Sequence, residues 1–351
     1  MARIGVKGRS DQQRRATVRR QERDNAMCQP SNCSNCKAFC GTNDWTTRIL
    51  KGYQEFIPTM PVLLAKTEQE LKDLAKLARK AIKDNDYETL QGLGVEVGQK
   101  QRKIAKLDAA IRRVDEQNEA IEKALGYHRV TGDYGLDFAQ ATIIISGFSD
   151  PEKMPGYGWS IPASLCITGA ALAKIAGSVC EKCYAKKGNY NYIEVLACLW
   201  RRANALRHTD LFVEAFSIVM STIYGKASGK GKDFGYFRWH DSGDLQSVEH
   251  LSAIVEIAKR FPQVSFWIPT KERQIVANYM KLHGNFPSNL VVRVSMARVG
   301  QKAKQFHGLS MSTVGVDDEG FQCNAPRQNG FCRKCRACWK KEVISTNYPL
   351  H

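Results

Sequence analysis

The stretch FRWHDSGDLQSVEHL (residues 237–251) decides the fold. Its opening, FRWH, has the bulky, β-prone character of a short buried strand. The polar run Asp241, Ser242, Gly243 and Asp244 stops that strand, and Val248–Lys259 then follows helical spacing. The same unit recurs downstream. VSFWIP (264–269) runs into Thr270, Lys271 and Glu272 and then a helical pattern over Ile275–Leu282, before LVVRVSM (290–296). Upstream, ATIII (141–145) and GWSIP (158–162) read as strands. Helices are expected after Tyr190, through Val195, Leu199, Ala203 and Leu206, and over 209–224. Strands alternating with helices predict parallel βαβ units. Ligands of such folds bind at the carboxyl ends of the strands. Here those ends carry Cys166, His240 to Asp244, Thr270 to Glu272, and Ser295.

The N-terminal third has a different texture. Residues 1–27 read as a flexible basic arm, with Arg3, Lys7, Arg9, Arg14, Arg15, Arg19, Arg20 and Arg23 against Asp11, Glu22 and Asp24. A cysteine-rich metal-binding segment is expected over 28–60. A helical hairpin is expected over 61–130. Its first helix starts at Thr67, where Glu70 completes a capping box, and carries Leu71, Leu74, Leu77, Ala78 and Ile82 on one face. Its second runs from about Gln99 to Leu125, with turn signals at Asp84–Asp86 and Gly92–Gly94 between them. An α/β, barrel-like catalytic domain follows over 131–315, and a second cysteine segment over 316–351.

The 351 residues carry a net charge of +17, which makes nucleic acid the expected partner. No apolar run reaches the roughly 18 residues of a membrane span, and the basic N-terminus lacks the apolar stretch of a signal peptide. The expectation is a soluble protein of the cytoplasm with no membrane partner. Nothing here decides an oligomeric state.

The twelve cysteines fall into groups. In a reducing compartment they are thiols, and thiolates are ligands for zinc and iron–sulfur clusters. Cys323, Cys332, Cys335 and Cys338 combine a CxxCxxC run with a fourth cysteine, a pattern suited to a four-iron cluster or to zinc. Cys28, Cys33, Cys36 and Cys40 sit in the polar segment around QPSNCSNCKAFCGTN, where zinc is favoured over iron–sulfur. The middle group is Cys166, Cys180 and Cys183. Cys198 follows in a helical pattern beside Leu199 and Trp200, where it reads equally well as a buried apolar thiol. Three ligands without a fourth would leave one metal position open for a cofactor or substrate, as catalytic zinc does with water.

A three-cysteine loop after the first strand, Ser242-Gly243-Asp244 at the end of the next, PTK (269–271) and VRVSM (292–296) together resemble the radical S-adenosylmethionine enzymes. The resemblance implies a partial or full (β/α) barrel. In it, Cys166, Cys180 and Cys183 would hold a [4Fe-4S] cluster whose open iron takes S-adenosyl-L-methionine. Ser242, Gly243 and Asp244 would contact that cofactor, and Lys271 and Ser295 would line the pocket. Two departures stand out: thirteen residues separate Cys166 from Cys180, against the usual three, and Asp244 replaces a glutamate. The motifs GSVCEKCYAKKGNY (177–190), FRWHDSGDLQSVEHL, PTKE (269–272), NLVVRVSMA (289–297), CRACW (335–339) and NYPLH (347–351) are similar to the phage family called gene product eighty-eight, over about residues 155–351. That similarity implies a phage origin and supplies no activity.

Three functions follow as expectations. The first is a phage iron–sulfur, radical S-adenosylmethionine-like enzyme acting on nucleic acid or a nucleotide, for instance in DNA modification. Its catalytic set would be His240, Asp241, Asp244 and Lys271, with an auxiliary cluster on the C-terminal cysteines. The second is a zinc-stabilised nucleic-acid-binding or host-interaction protein without catalysis. The third is a barrel-type base transglycosylase using Asp241 or Asp244 as nucleophile.

Overall fold

The computed structural model describes residues 42–225, 233–316 and 320–350. The chain divides into two units, Met1–Thr47 and Arg48–His351; the sheet and both central cysteine groups belong to the second. The N-terminal arm and Cys28, Cys33, Cys36 and Cys40 lie outside the described residues.

Helix α1 (Thr42–Phe56) is followed by a hairpin of α2 (Thr59–Lys83) and the 45-residue α3 (Tyr87–Thr131). Met60, Thr67, Leu74 and Ala81 are the buried residues of α2, one every seven, which is the repeat of a coiled-coil seam. The expected helix start at Thr67 is therefore wrong. Pro58 and Pro61 mark the first turn, where a missing N–H costs nothing. Thr67 lies mid-helix and donates its hydroxyl back to Leu63 O at 2.7 Å. Glu70, assigned to the capping box, pairs instead with Lys100 of α3 at 2.5 Å. The turn falls at Asp84–Asp86 as expected: Asn85 is left-handed, and Asp86 caps α3 by accepting from Thr89 N at 3.0 Å. Gly92 and Gly94 do not turn the chain. They lie inside α3, because the turn chemistry is already spent six residues earlier.

Residues 141–145, expected as a strand, close helix α4 (Phe138–Ile145). Asp137 and Gln140 form a complete capping box at its start. Ala141, Ile144 and Ile145 are buried where α4 packs on the later helix Thr209–Tyr224. Cap and packing together override the β-preference of the isoleucines.

The seven strands are β1 (Tyr157–Trp159), β2 (Tyr236–Trp239), β3 (Ser265–Thr270), β4 (Leu290–Ser295), β5 (Ser310–Val314), β6 (Phe321–Gln322) and β7 (Ser345–Tyr348). They form one parallel sheet in the order β1-β2-β3-β4-β5-β7-β6. Helices α5 (Thr168–Leu172), α6 (Ile193–Leu206) and α7 (Thr209–Tyr224) connect β1 to β2. Helix α8 (Val248–Arg260) connects β2 to β3, and α9 (Arg273–His283) connects β3 to β4. The end strands β1 and β6 do not pair, so no closed barrel forms among the described residues. An aromatic core of Trp159, Phe212, Phe216, Phe237, Trp239 and Phe266, all fully buried, fixes α7 against the sheet. Phe216 stacks on Trp239 at 4.8 Å. Strands β5 and β7 were missed because they read SMSTV and STNY, without an apolar run. Their hydroxyls are buried only because they find partners: Ser312 donates to Ser295 Oγ at 2.9 Å, and Thr313 to Asn347 Oδ1 at 3.1 Å. No described helix is long and apolar enough to cross a membrane.

Candidate functional site

Beyond β1, Pro162 and a 3₁₀ turn (Ala163–Leu165) deliver Cys166 to the carboxyl end of the sheet. Helix α5 starts immediately after it. Its first residue, Thr168, donates both its N–H (2.8 Å) and its hydroxyl (2.7 Å) to the carboxylate of Glu272, just past β3. A Cβ on Gly169 would lie 3.1 Å from Cys166 Cβ, 3.7 Å from Cys166 Sγ and 3.6 Å from Cys180 Sγ, so the bare backbone here makes room for two thiols. The loop carrying Cys180 and Cys183 is tied to the end of β4. Val179 N donates to Ala297 O (2.9 Å), and Val299 N to Gly177 O (3.1 Å).

The structure thus brings Cys166, Cys180 and Cys183 together, although thirteen residues separate the first from the second. Burial pushes the Cys166 thiol up to about 12, reinforced by Asp244, the other two thiols and Glu272. Burial also raises Cys180, with Lys271 acting in the opposite direction. Cys198 does not join them: its thiol points to Ser146 O at 3.8 Å.

Asp244 is buried and fully engaged. Its Oδ1 accepts from Leu245 N (2.8 Å) and Thr270 Oγ (2.6 Å), and its Oδ2 from Lys271 N (2.9 Å). Burial, then Glu272, raises its pKa to about 6 against the lowering effect of those bonds. Ser242 turns its hydroxyl to Ile161 O at 3.0 Å, which stitches the exit of β2 to that of β1. Gly243 has φ 78°, and a Cβ there would meet Ile161 Cγ1 at 2.4 Å, so only glycine fits. Ser295 accepts from Ser312 across the β4–β5 exit.

His240 and Asp241 share no hydrogen bond. His240 has a left-handed φ of 53° and is buried, its ring 5.0 Å from that of His250. Neither of its ring nitrogens has a hydrogen-bond partner among the described residues. Burial, then Arg238, lowers its pKa to about 3, so the ring is neutral at pH 7. Asp241 accepts from Ser160 Oγ and from Tyr190 Oη (3.1 Å), and its backbone carbonyl accepts from Tyr184 Oη. Arg238 lies over the Trp267 ring at 4.8 Å. Burial works against its charge, but Tyr184, Asp241 and Tyr348 outweigh that and raise its pKa.

The C-terminal cysteines form a second group beside β6 and β7. Cys323 N donates to Asn347 O, Cys332 N to Lys153 O, and Cys335 N to Cys332 O, each at 2.9 Å. Cys332 feels the charges of Cys323 and Cys335, and Cys338 those of Cys323 and Cys332. Cys338 Sγ lies 3.2 Å from Tyr348 Oη, and burial pushes its thiol up to about 11. Arg293, fully buried in β4, holds this segment. Its guanidinium donates to Met311 O (2.8 Å), Val343 O (3.1 Å), Lys340 O (3.3 Å) and Ala337 O (3.4 Å). Sequence reading passed over Arg293, Arg238, Tyr184 and Tyr190 as functional candidates. The arginine inside LVVRVS was the available signal, since a charge in an apolar strand must find partners. Among the described residues, no three His, Cys, Asp or Glu side chains lie in the arrangement of a single-ion site.

These features define an α/β protein whose parallel strands gather thiols, carboxylates and a lysine at one end of the sheet. The chain belongs to the Gene product 88 family of phage proteins, whose model matches residues 117–341. The match takes in the last third of α3, β1 to β6, the middle cysteine group and the C-terminal one. No curated protein and no solved structure matches the chain.

Proposed function

We propose that this chain is an iron–sulfur enzyme of the radical S-adenosylmethionine type, acting on nucleic acid or a nucleotide in the host cytoplasm. The observation that carries the reading is the meeting of Cys166, Cys180 and Cys183 at the sheet mouth with no fourth cysteine beside them among the described residues. Asp244 and Glu272 are the nearest carboxylates, and their oxygens are engaged by Thr270, Leu245, Lys271 and Thr168. The donor set is therefore three thiols with one position left over. The sequential order of β1 to β5, with helices in three successive crossovers, supports a partial barrel of the same type.

On this reading Cys166, Cys180 and Cys183 hold a [4Fe-4S] cluster, and Cys323, Cys332, Cys335 and Cys338 hold a second, auxiliary one. When bound, the cluster and S-adenosyl-L-methionine would supply reductive homolysis of a carbon–sulfur bond. The chain's own residues position and shield that chemistry. Glu272 anchors the start of α5 and with it the approach of Cys166. Asp244 locks the exits of β2 and β3 together. Lys271 offsets negative charge at Cys180. Tyr184, Tyr190, Asp241 and Arg238 form a polar wall at the exit of β2. His240 is buried, its ring neutral at pH 7, and it shares no hydrogen bond with Asp241. The net charge of +17 supports a polyanionic substrate.

The test is anaerobic purification followed by iron, sulfide and zinc analysis and an absorption spectrum. A brown protein that cleaves S-adenosyl-L-methionine under reduction supports the reading. In that protein, Cys180→Ala should remove one cluster's iron and leave the other. Colourless protein holding zinc alone overturns it, in favour of a zinc-stabilised binding protein. The transglycosylase reading is disfavoured by the engagement of both aspartates, Asp244 by three donors and Asp241 by Ser160 and Tyr190.

A further inference from the structure

Between α3 and α6 lies a cavity of about 320 Å³ that shares no residue with either cysteine group. Its walls include Ala105, Ala109, Ala110 and Ala197, whose short side chains leave the space open. Three cations line it: Lys106, Arg113 and Arg201. The single carboxylate, Glu194, is taken by Lys106 at 2.6 Å. Arg113 is solvent-exposed, whereas Arg201 is only 8% exposed.

Arg201 is the unusual member. Its side chain makes no hydrogen bond or ion pair with any described residue, and its buried Nε has no partner. Its neighbour Arg202 shows the ordinary solution. It donates to Ser149 Oγ (2.7 Å) and to the carbonyls of Gly147 (3.0 Å) and Ser146 (3.4 Å). Burial is the main effect opposing the protonated form of Arg201; Arg113 and Arg202 add to it, while Cys198 and Tyr53 act the other way. A guanidinium stays charged at any physiological pH. Buried without a carboxylate or a ring of carbonyls, it is costly unless an anion joins it.

We propose that this cavity binds a phosphate group, held by the guanidinium forks of Arg201 and Arg113 against the alanine floor. Three cations against one carboxylate leave two positive charges, enough for the single charge of a backbone phosphodiester or the two of a terminal phosphate. Planar forks suit phosphate oxygens through paired N–H donors. The volume admits the phosphate with part of the group that carries it. Such a phosphate comes from a nucleic-acid backbone or from a free nucleotide, and the two sources are separable.

The test uses the full chain and its Arg201→Met and Arg113→Met variants. Inorganic phosphate should raise the melting temperature of the unaltered protein beyond sodium chloride at equal ionic strength. Each substitution should weaken that phosphate binding, on the order of 30-fold or more for Arg201→Met. Without phosphate, Arg201→Met should melt no lower than the unaltered protein, because it removes an uncompensated buried charge. The exposed Arg113→Met preserves the test if Arg201→Met fails to fold. A short single-stranded DNA oligonucleotide then identifies the source. Loss of its affinity in both variants, with a shallower salt dependence, points to a backbone phosphate. Unchanged oligonucleotide affinity alongside lost phosphate binding points to a free nucleotide. No stabilisation by phosphate, or equal stabilisation of all three proteins, overturns the proposal.

Discussion

Replacing Arg293 by methionine tests how the C-terminal cysteine segment is held. The side chain is fully buried, and methionine approximates its volume, so the change is chiefly the loss of donors to four carbonyls. The bonds to Met311 O and Val343 O, at 2.8 and 3.1 Å, are the strong pair. The other two, at 3.3 and 3.4 Å, are weak. A buried carbonyl left without a donor costs about 1–3 kcal/mol. Two such carbonyls at about 1.5 kcal/mol each give a loss of about 3 kcal/mol. Relief of the guanidinium's own desolvation offsets part of this, but Met311 O and Ala337 O stay buried, so the sign remains destabilising. Urea unfolding gives the total. Thiol labelling read by peptide mass gives the location: Cys338 should label faster in Arg293→Met, while Cys166 should not change. A variant with unaltered midpoint and unaltered Cys338 labelling would refute the role assigned to Arg293.

Two further outcomes follow from the exit of β2. His240 is held at about 3 against an ordinary 6.5. Below the ordinary value the unfolded chain binds a proton that the folded one refuses, so His240 makes stability fall as pH drops from 6.5 toward 3. From pH 6.5 to 5 that amounts to about 2 kcal/mol. Asp244, raised to about 6 from 3.8, acts in the opposite sense over its own window. The comparison is therefore between the unaltered protein and His240→Asn, which tolerates the left-handed backbone and should show a flatter acid limb in urea midpoints. Equal acid limbs would contradict the burial of a neutral ring. Gly243→Ala combines a φ of 78° with a Cβ 2.4 Å from Ile161 Cγ1 and 2.8 Å from Ile161 O. It should lose more than about 1 kcal/mol, seen as a lower melting temperature; unchanged melting would show that the β1 and β2 exits are not packed as described.

Much of the sheet was legible in the sequence, for a simple reason. Strands β3 and β4 are buried on nearly every residue and read as compact apolar runs, while β2 alternates buried Phe237 and Trp239 with half-buried Tyr236 and Arg238; each ends in a polar stop. Strands β5 and β7 were not legible, because serine, threonine and asparagine become core residues only when partner hydroxyls and amides from other strands arrive. The helix at 138–145 was misread because three isoleucines outweighed a capping box of two residues. The helix through Thr67 was misread the other way, since a cap-like pair sat mid-helix where its members found other partners.

The candidate site divides along the same line. Local spacing was enough to group Cys323 with Cys332, Cys335 and Cys338, and Cys180 with Cys183, because neighbours in sequence cannot separate far in space. That Cys166 joins the latter pair depends on Glu272 holding the start of α5 and on Ala297 pinning Val179, contacts between segments more than a hundred residues apart. Adjacent His240 and Asp241 show the converse. Sequence placed them side by side, and one left-handed residue on a tightly packed strand end sent the ring into the core and left the carboxylate with Ser160 and Tyr190. Residue types and their order determined which chemistry the chain can carry. Packing between distant segments decided which of those groups meet, because proximity in a folded chain is set by burial and hydrogen-bond satisfaction, which no local pattern records.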